Sequence, residues 1–590
     1  MSFRITVLNF ALSLLSTGIF AQKNLLDLIP REALFVATLH SASLDEKLSW
    51  KNIQEFAIVD ELARNGSEMF GLQNSTLIRN LIKNPQDKGI NILRNFYGFV
   101  ETAADKKYLT IAFPLNDPAK FKAMIQEYFG DNFNKTLLTK GEYLALIQNN
   151  LCIVWQKDHA FVTYIYVENS PHNNGEDRDA AMESEEIAVE YKTRLYLALD
   201  SYIDKICSLS EAKSYSRHGG YNDWEKTVRD AGMWVNSKEI MRLSIENPSN
   251  LSIGGSNDFI VGIMDALINS YGEINIGSDV SFEKGKIISK TYGFMGPELM
   301  KFAKSATKNT ANKKILKYID GQKSGMYMIT AFSPKGVYEG CKEMLSEKAG
   351  SMKPSVDDLF GILEIFMDEK DAFNFLKGDF FYAINGAKTI ESVENDYEYN
   401  ENTNEYDLIE KKVKRHIPLA VVGFSYGNKE DMLKFIRIVS RTGFLKEEKK
   451  NIYKLFIPMS NESIFVKLDK GLLLISNDEE RLLQNKKYRP MSKEHKQNLK
   501  KDFQTVYVNP GNLMDIFLSI GQVQDKKLIS MVKNIKDGVG EIILHSRRPL
   551  KADKFTIQDF SLDLKNKEEN ALKQIFDFAN RLYLSRLKGI

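Results

Sequence analysis

Along the chain, short apolar runs separated by polar turns alternate with stretches in which apolar residues recur at helical spacing. Two such runs, Leu34–Leu39 and Leu109–Phe113, have the length and composition of strands, and each leads into a polar helix start. After the second run, Asp117 suits a helix N-cap and Pro118 the first helical position. The helix that follows is predicted from one apolar face, formed by Phe121, Met124, Ile125 and Tyr128.

The same order of elements occurs a second time. The strand Met326–Ser333 matches Leu34–Ser41 when Thr330 is aligned with Thr38. Later in the second half, Asn428 takes the capping position of Asp117, again after an apolar run.

The match continues further along both halves. Phe380–Ile384 aligns with Phe96–Val100, and Thr505–Phe517 aligns with Thr193–Ile206, which we predict to be a strand followed by a helix. Strand, strand, capped helix, strand, strand, strand and helix recur in one order. The sequence therefore predicts a tandem duplication.

Short polar turns join the predicted strand pairs, for example Lys157–His159 and Asp469–Gly471, which favours antiparallel pairing. Strict alternation in Phe555–Leu564 indicates a sheet with one solvated face. We predict an α+β fold made of two tandem copies of an antiparallel-sheet unit with helices packed on one face. The predicted segments are a signal peptide at 1–21, a first repeat at 22–310 and a second repeat at 311–590.

One half carries extra sequence wherever the alignment shifts. The second half gains Glu391–Arg415, rich in Glu, Asn, Asp and Tyr, and the first half gains roughly Ser208–Gly277. The acidic stretch Gly175–Glu190 has no apolar period, which predicts an exposed loop.

The amino terminus has the pattern of a secretory signal. Arg4 precedes an apolar stretch from Ile5 to Leu15, and Ala21 before Gln22 fits a small-residue cleavage site. A membrane anchor is the alternative, but the apolar stretch is shorter than the ~20 residues that cross a bilayer. We expect an exported protein that is periplasmic, outer-membrane associated or extracellular, with no membrane span after cleavage.

Charge and cysteine content narrow the partners. Lys and Arg total 80 and Asp and Glu 78, a net charge of +2, so no long-range field favours nucleic acid. The three cysteines, Cys152, Cys207 and Cys341, show no C-x-x-C spacing, and we interpret them as buried free thiols.

The sequence contains no recognisable catalytic motif. Its seven histidines include no pair at i, i+3 or i+4, and no nucleophile elbow, P-loop or dinucleotide motif stands at a strand-to-helix turn. A ligand set that only folding assembles stays open. We therefore predict no catalytic, cofactor-binding or metal residues, and no cofactor.

Two weaker candidates remain. The acidic residues of 391–410 raise a cation-binding hypothesis, since oxygen-rich loops suit calcium, but the segment lacks the Gly and spacing of a known calcium loop. Its tyrosines keep no sustained alternation, so a solvated hairpin tip or disordered loop is the simpler interpretation. Tyr221 and Trp224 follow two glycines and form an aromatic pair for a sugar or a peptide. The start of a packed amphipathic helix is the alternative, and the one we favour.

Several short motifs resemble a known family. Leu28–Val36, with Ile29-Pro30 before Ala33, is similar to the opening of exported Bacteroidota proteins of unknown function; Asn84–Asn91, Gly378–Gly386 and Gly232–Asn236 add further matches. The chain resembles the family filed as domain of unknown function 4836. The resemblance implies export and shape and supplies no catalytic residues. The chain departs from the family's lipoprotein members because no lipid-bearing cysteine follows its apolar stretch.

These observations favour a non-catalytic, exported binding or structural component of the cell envelope, with an unknown protein or glycan partner. The alternative is a secreted hydrolase whose carboxylates are assembled between the two repeats, because sequence spacing does not show paired carboxylate geometry.

Overall fold

A computed structural model describes residues 25–69, 76–103, 106–167, 185–210, 213–217, 220–240, 275–308, 311–348, 354, 357–358, 360–361, 373, 375–400, 405–457, 462–483, 488–498, 501–521, 526–550 and 553–587. The predicted cleavage site at Ala21 and Gln22 lies outside these residues. The fold is α+β, with antiparallel sheets and packed helices, as predicted.

The chain divides into two compact units. Among the described residues, the first unit lies within 25–240, 277–281 and 572–587, and the second lies within 275–276 and 282–571. The repeat boundary at 310 and 311 concerns the sequence and stays a prediction. The closing segment of the first predicted repeat, from residue 282, belongs to the second compact unit, and residues 572–587 belong to the first.

The described strands of the first unit are short. They are β1 Phe35–Leu39, β2 Phe96–Ala103, β3 Lys106–Pro114, β4 Leu137–Lys140, β5 Tyr143–Gln148, β6 Leu151–Trp155, β7 His159–Val167, β8 Ala231–Asn236 and the centre of β9 Asn275–Glu283. Its described helices are α1 Ser41–Lys47, α2 Trp50–Ile53, α3 Ile58–Met69, α4 Thr76–Lys83, α5 Pro118–Phe129, α6 Phe133–Thr136, α7 Glu185–Cys207 and α8 Tyr221–Glu225.

The second unit contains two much longer strands. Its described strands are β10 Lys286–Phe294, β11 Met326–Ala331, β12 Leu376–Asn400, β13 Glu405–Tyr426, β14 Leu445–Lys449, β15 Ile452–Leu455, β16 Ile464–Asp469, β17 Leu472–Ser476, β18 Asp502–Val508, β19 Val539–Arg547 and β20 Phe555–Leu564. Its described helices are α9 Pro297–Ala306, α10 Pro334–Lys348, α11 Lys429–Arg441, α12 Glu479–Leu483, α13 Lys493–Asn498, α14 Pro510–Gly521 and α15 Lys526–Gly538. The last helix, α16 Ala571–Leu587, lies from Leu572 onward in the first unit.

Both units use one strand order. In the first unit the order is β8-β1-β2-β3-β7-β6-β5-β4, with every pairing antiparallel. In the second unit it is β18-β11-β12-β13-β17-β16-β15-β14, again antiparallel throughout. The second unit then continues from β18 through β19 and β20 to β10. Eight strands in one order and one orientation confirm the two tandem copies.

Burial corrects the sequence alignment of the first strands by one residue. Val36 and Thr38 point into the core of the first unit, whereas Tyr327 and Ile329 do so in the second. Thr38 therefore corresponds to Ile329 and not to Thr330. A slip of one residue exchanges the two faces of a strand, so only the burial pattern decides the register.

The capped helix is confirmed in both copies. Asp117 accepts hydrogen bonds from the amides of Ala119 and Lys120, both at 3.1 Å, and Asn428 accepts one from Glu430 at 2.9 Å. The apolar face of each helix packs against the sheet. In the first copy the core residues are Phe113, Phe121, Met124, Ile125, Leu146 and Trp155, and in the second they are Tyr426, Met432, Ile436, Leu445 and Val466.

Two predictions in the first half are wrong. Thr193–Ile206 is not a strand followed by a helix but part of the 23-residue helix α7, and β8 occupies the place that β18 has in the second unit. The end of the predicted acidic loop, Glu185–Glu190, also belongs to α7. The rest of that loop from Gly175 lies outside the described residues. Apolar residues lie on several sides of α7, which weakens the 3.6-residue period in its sequence. The pattern of apolar residues therefore did not predict this helix.

The described residues of the acidic insertion Glu391–Arg415 form an antiparallel β-ribbon, which is the hairpin alternative and not the disordered loop. It extends β12 and β13, which contain 25 and 22 residues, whereas their counterparts β2 and β3 contain 8 and 9. The pairing shifts register between Ile384 and Ala387, beside Gly386 at a φ of 130°. Such a bulge bends a strand, and here it marks where the ribbon leaves the sheet.

The cysteines are free thiols, as predicted. Cys152 is buried, and Cys207 and Cys341 are half-buried. Burial raises the pKa of the Cys152 thiol to about 12, which keeps it protonated. Over the described ranges, no helix has both the length and the apolar character needed to cross a membrane.

We predict that Gly89→Ala destabilises the first unit. Gly89 has a φ of +82°, and an added Cβ would lie 2.0 Å from the Asp117 carbonyl oxygen. We expect a loss of about 1–3 kcal/mol in the free energy of unfolding. The chain's four tryptophans, Trp50, Trp155, Trp224 and Trp234, all belong to this unit, so urea unfolding followed by tryptophan fluorescence measures its stability.

Gly98→Ala is the matched control, because a Cβ there meets its nearest atoms at 4.0 Å. Equal unfolding midpoints for the two variants would contradict the role assigned to Gly89.

Candidate functional site

A cleft of about 640 Å³ opens at one edge of the first unit's sheet. Four neighbouring strands contribute to this edge, because β1 and β3 end where β2 and β7 begin. The lining residues come from these strand ends, from the 3-10 helix Leu25–Leu28, from the turns before β2 and β7 and from the end of α8; they are Leu25, His40, Leu93, Arg94, Asn95, Tyr97, Pro114, Asp158, His159, Glu225 and Lys226. This size is ordinary for a small-ligand pocket.

A tyrosine and a glutamate form the main polar pair of the cleft. The Tyr97 hydroxyl donates a hydrogen bond to Glu225 Oε1 at 2.9 Å. Burial raises the pKa of the Glu225 carboxyl above its ordinary value, and the hydrogen bond from Tyr97 partly opposes the rise. Burial, with the Glu225 charge as the next cause, also raises the pKa of Tyr97. The raised pKa favours the neutral form of the Glu225 carboxyl.

His40 brings a neutral imidazole to the cleft. It follows β1 and caps α1 through its backbone, and its own amide donates to the Asp230 carbonyl at 2.9 Å. Burial lowers the pKa of His40, with the charge of Asp230 opposing the shift. Its Nε2 is buried and has no hydrogen-bond partner. A buried ring nitrogen without a partner has unused capacity to bond a ligand.

His159 is held more firmly. Its Nδ1 lies 2.7 Å from Asp158 Oδ1, and the Gln156 amide lies 3.1 Å from the same nitrogen. The residue is 1% exposed, and its ring packs edge-on against Tyr143. These contacts fix the ring at the wall of the cleft, so His159 shapes the site more than it reaches into it.

The aromatic pair proposed from the sequence lies beneath this site. Tyr221 and Trp224 are 0% and 1% exposed and pack with Tyr215 and Trp234 at centroid distances of 5.0–5.5 Å. Both rings are core, which supports the packing alternative over an exposed ligand platform. Their role is positional, because α8 places Glu225 directly after Trp224.

The acidic residues of 391–410, the other candidates from the sequence, do not line the cleft. His40 and His159 line one cleft although they are distant in sequence, and no local motif signalled this. Among the described residues, no three His, Cys, Asp or Glu side chains converge to hold a metal ion. The acidic residues of 391–410 that the structure describes are spread along two extended strands.

A second cavity, of about 900 Å³, lies in the second unit between Met295 and Lys554. Its walls combine methionine and leucine with lysine and arginine. Lys301 there already bonds Glu343, and Lys304 bonds the Asp553 carbonyl. Polar groups suited to a ligand therefore converge better in the first unit's cleft.

The side chains of the first unit's cleft can donate hydrogen bonds to a polar ligand, accept hydrogen bonds from it and exchange protons with it. Glu225 donates a hydrogen bond in its neutral form and accepts hydrogen bonds in its ionised form. Leu25, Leu93 and Pro114 add apolar contacts. The site thus suits a ligand with both amide-like polar groups and aliphatic parts.

We predict that Glu225→Gln flattens the dependence of the first unit's stability on pH. Between the ordinary pKa of 4.5 and the raised value, folded chains hold a proton that unfolded chains release. Stability therefore falls as pH rises through this window, and glutamine removes that fall while keeping an oxygen for Tyr97. Urea unfolding followed by tryptophan fluorescence at about pH 4.5 and about pH 7 measures the effect.

The exposed Glu142 provides the control variant Glu142→Gln, which should leave the pH dependence unchanged. Parallel pH curves for the wild type and Glu225→Gln would show that burial of Glu225 has no such consequence.

Comparison with known proteins shows only remote likeness. No protein-family model matches the chain, and no curated protein matches it. Crystal form I of TP0453 is similar at 9% identity over 47% of this chain and 81% of that one, with a TM-score of 0.21. Crystal form IV of TP0453 is similar at 9% identity over 49% and 87%, with a TM-score of 0.17. Likeness this remote carries no argument, and the resemblance to the domain of unknown function 4836 family stays a prediction.

Proposed function

We propose that this chain is an exported, non-catalytic binding component of the bacterial cell envelope, and that the first unit's cleft holds a peptide segment of a partner protein. Export rests on the signal pattern ending at Ala21. The observation that carries the binding role is the cleft itself, a cavity of about 640 Å³ whose lining includes His40 and the half-buried Glu225, with the pKa of its carboxyl raised by burial.

A peptide suits this cleft better than a glycan does. Sugars bind well where an aromatic ring offers an open face, but the one tyrosine of the lining, Tyr97, is only 4% exposed. Leu93, in contrast, is 65% exposed and supplies an aliphatic contact at the rim. Aliphatic contacts beside hydrogen-bonding groups match peptide side chains and amides.

One rival function has a specific observation in its favour. A carboxyl with a raised pKa and a neutral histidine in one cleft are the groups that acid–base hydrolysis uses. In that case Glu225 would protonate a leaving group and His40 would accept a proton from water. Incubating the chain with a mixed peptide substrate decides this, because cleavage lost in Glu225→Gln would favour hydrolysis over binding.

We predict that Leu93→Asp weakens peptide capture at least about fivefold without unfolding the chain. Leu93 lies at the exposed rim, so a carboxylate there adds charge to the apolar contact at little cost to the core. Bound peptides are eluted from the chain purified from its native host and quantified by mass spectrometry. The same preparation gives the mature amino terminus, expected at Gln22.

Leu197→Asp is the matched control, since Leu197 is 60% exposed on α7 and does not line the cleft. Equal peptide recovery from both variants would refute the cleft as the binding site. An uncleaved chain in the cytoplasm would refute export.

A further inference from the structure

The cavity of about 900 Å³ in the second unit, which we call the α9 cavity, has a size typical of small-molecule sites. One of its walls is a single face of α9, about 12 Å long at 1.5 Å per residue. The residues of this face recur at helical spacing; they are Pro297, Met300, Lys301, Lys304 and Ser305. The rest of the lining is Met295 and, from the connection between β19 and β20, Arg548–Leu550 and Asp553–Lys554.

Apolar side chains line the cavity where α9 begins. Met295 lies just before the helix and is half-buried, and Met300 lies on its first turns and is 5% exposed. The connection between β19 and β20 adds the buried Pro549 and the rim residue Leu550, which is 67% exposed. Methionine side chains adapt to the shape of an aliphatic ligand, so this part of the cavity suits a hydrocarbon chain.

Positive side chains meet one helical turn further along α9. Lys304 follows Met300 by four residues, which is about 6 Å along the helix axis. Its Nζ donates a hydrogen bond to the Asp553 carbonyl oxygen at 3.1 Å, and Lys554 is the next residue. Arg548 donates from Nη2 to the Lys304 carbonyl oxygen at 3.4 Å. Cations from two segments of the chain are therefore gathered at one end of the cavity.

The acids near these cations balance only part of their charge. The lining carries four positive side chains and one acid, Asp553. Lys301 bonds Glu343 on α10, which lowers the excess from three charges to two. The C-terminal end of α9 supplies only about half a negative charge. Over the described ranges, neither Arg548 nor Lys554 forms an ion pair with a carboxylate.

Structural contacts explain only part of this arrangement. Arg548 bonds a carbonyl of the last turn of α9, where a cation is stabilising. Asp553 accepts a hydrogen bond from the Leu550 amide at 2.5 Å, which holds the connecting segment together. Lys554 is exposed and takes part in neither contact. The excess of positive charge beside an apolar wall therefore has no purpose in the fold itself.

We propose that the α9 cavity binds an amphipathic anion, which is a single acyl chain with a carboxylate or phosphate head. The chain lies along Met295 and Met300, where its burial removes apolar surface from water. The head lies among Lys304, Arg548 and Lys554, where it accepts charge-assisted hydrogen bonds. This site lies in the second unit and does not depend on peptide binding in the first unit's cleft.

Two simpler ligands match only half of the site. A small anion such as acetate or free phosphate would leave the apolar wall in contact with water. A neutral aliphatic alcohol would cover that wall but would leave the positive charges unbalanced. Tight binding should therefore need the chain and the anionic head in one molecule.

Isothermal titration calorimetry of the purified chain, residues 22–590, with dodecanoate below its micelle-forming concentration tests this proposal. We expect a Kd of roughly 1–100 µM. Decanoate and octanoate should bind progressively more weakly, by about two- to fourfold for each methylene removed. Dodecanol should bind at least about tenfold more weakly than dodecanoate, and its affinity should not fall as salt is raised.

The head group distinguishes two sources of such a ligand. Lysophosphatidate with a dodecanoyl chain offers a phosphate in place of the carboxylate. Tighter binding of dodecanoate supports a free fatty acid, and tighter binding of lysophosphatidate supports a phospholipid product. Either result supports the amphipathic anion.

Lys554→Glu tests the role of charge. We expect it to weaken dodecanoate binding about tenfold and to leave dodecanol binding unchanged, because an exposed side chain changes the charge without changing the apolar wall. A defect in folding would weaken both ligands. Lys429→Glu is the matched control, since Lys429 is exposed at the start of α11 and does not line the cavity.

Leu550→Ser tests the apolar contact. It should weaken dodecanoate and dodecanol alike by about threefold, because both lose the same contact at the rim. Ile438→Ser is its control, since Ile438 is 61% exposed on α11 and lies outside the cavity.

Three results would overturn the proposal. One is the absence of binding by both dodecanoate and lysophosphatidate up to about 1 mM. Another is a dodecanol affinity equal to that of dodecanoate, which would remove the role of the cations. The third is a Lys554→Glu variant that binds dodecanoate as tightly as Lys429→Glu does.

Discussion

In the first unit β1, and in the second unit β11, lies between two antiparallel neighbours and turns alternate side chains into the core. For β1 these buried positions are Val36 and Thr38, and for β11 they are Tyr327 and Ile329. Burial of one face fixes the register of each neighbour, and each neighbour fixes the next, through eight strands. These strand registers set the positions of the capped helix, the cleft and the β-ribbon. The ribbon begins where the pairing changes register, beside Gly386.

The cleft shows how the core positions polar groups. Four strands meet at one edge, so residues far apart in sequence, such as His40 and His159, line one cavity. Beneath it, Trp224 packs so closely that a Cβ added at Gly277 would lie 2.4 Å from its ring. This packing fixes α8 and with it Glu225. Partial burial of the Glu225 carboxyl in the cleft raises its pKa.

The two copies have diverged around a common framework. The first copy carries the cleft and the long helix α7, while the second carries the β-ribbon, which lengthens two strands that are short in the first. Insertions at the ends of strands leave the buried faces of the sheet unchanged.

The sequence by itself determined the fold class, the two copies and the capped helices, because apolar period, Asp117 with Pro118, and Asn428 are local signals. It also marked Glu391–Arg415 as an insertion, but its tyrosines showed no sustained alternation, and only cross-strand pairing placed Tyr397 opposite Leu408. It misjudged α7 and the alignment of Thr38, since both depend on which side of an element is buried. Only the tertiary structure brought His40, Tyr97 and Glu225 into one cleft. Such convergence depends on long-range pairing between strands, which leaves no mark on residue spacing along the chain.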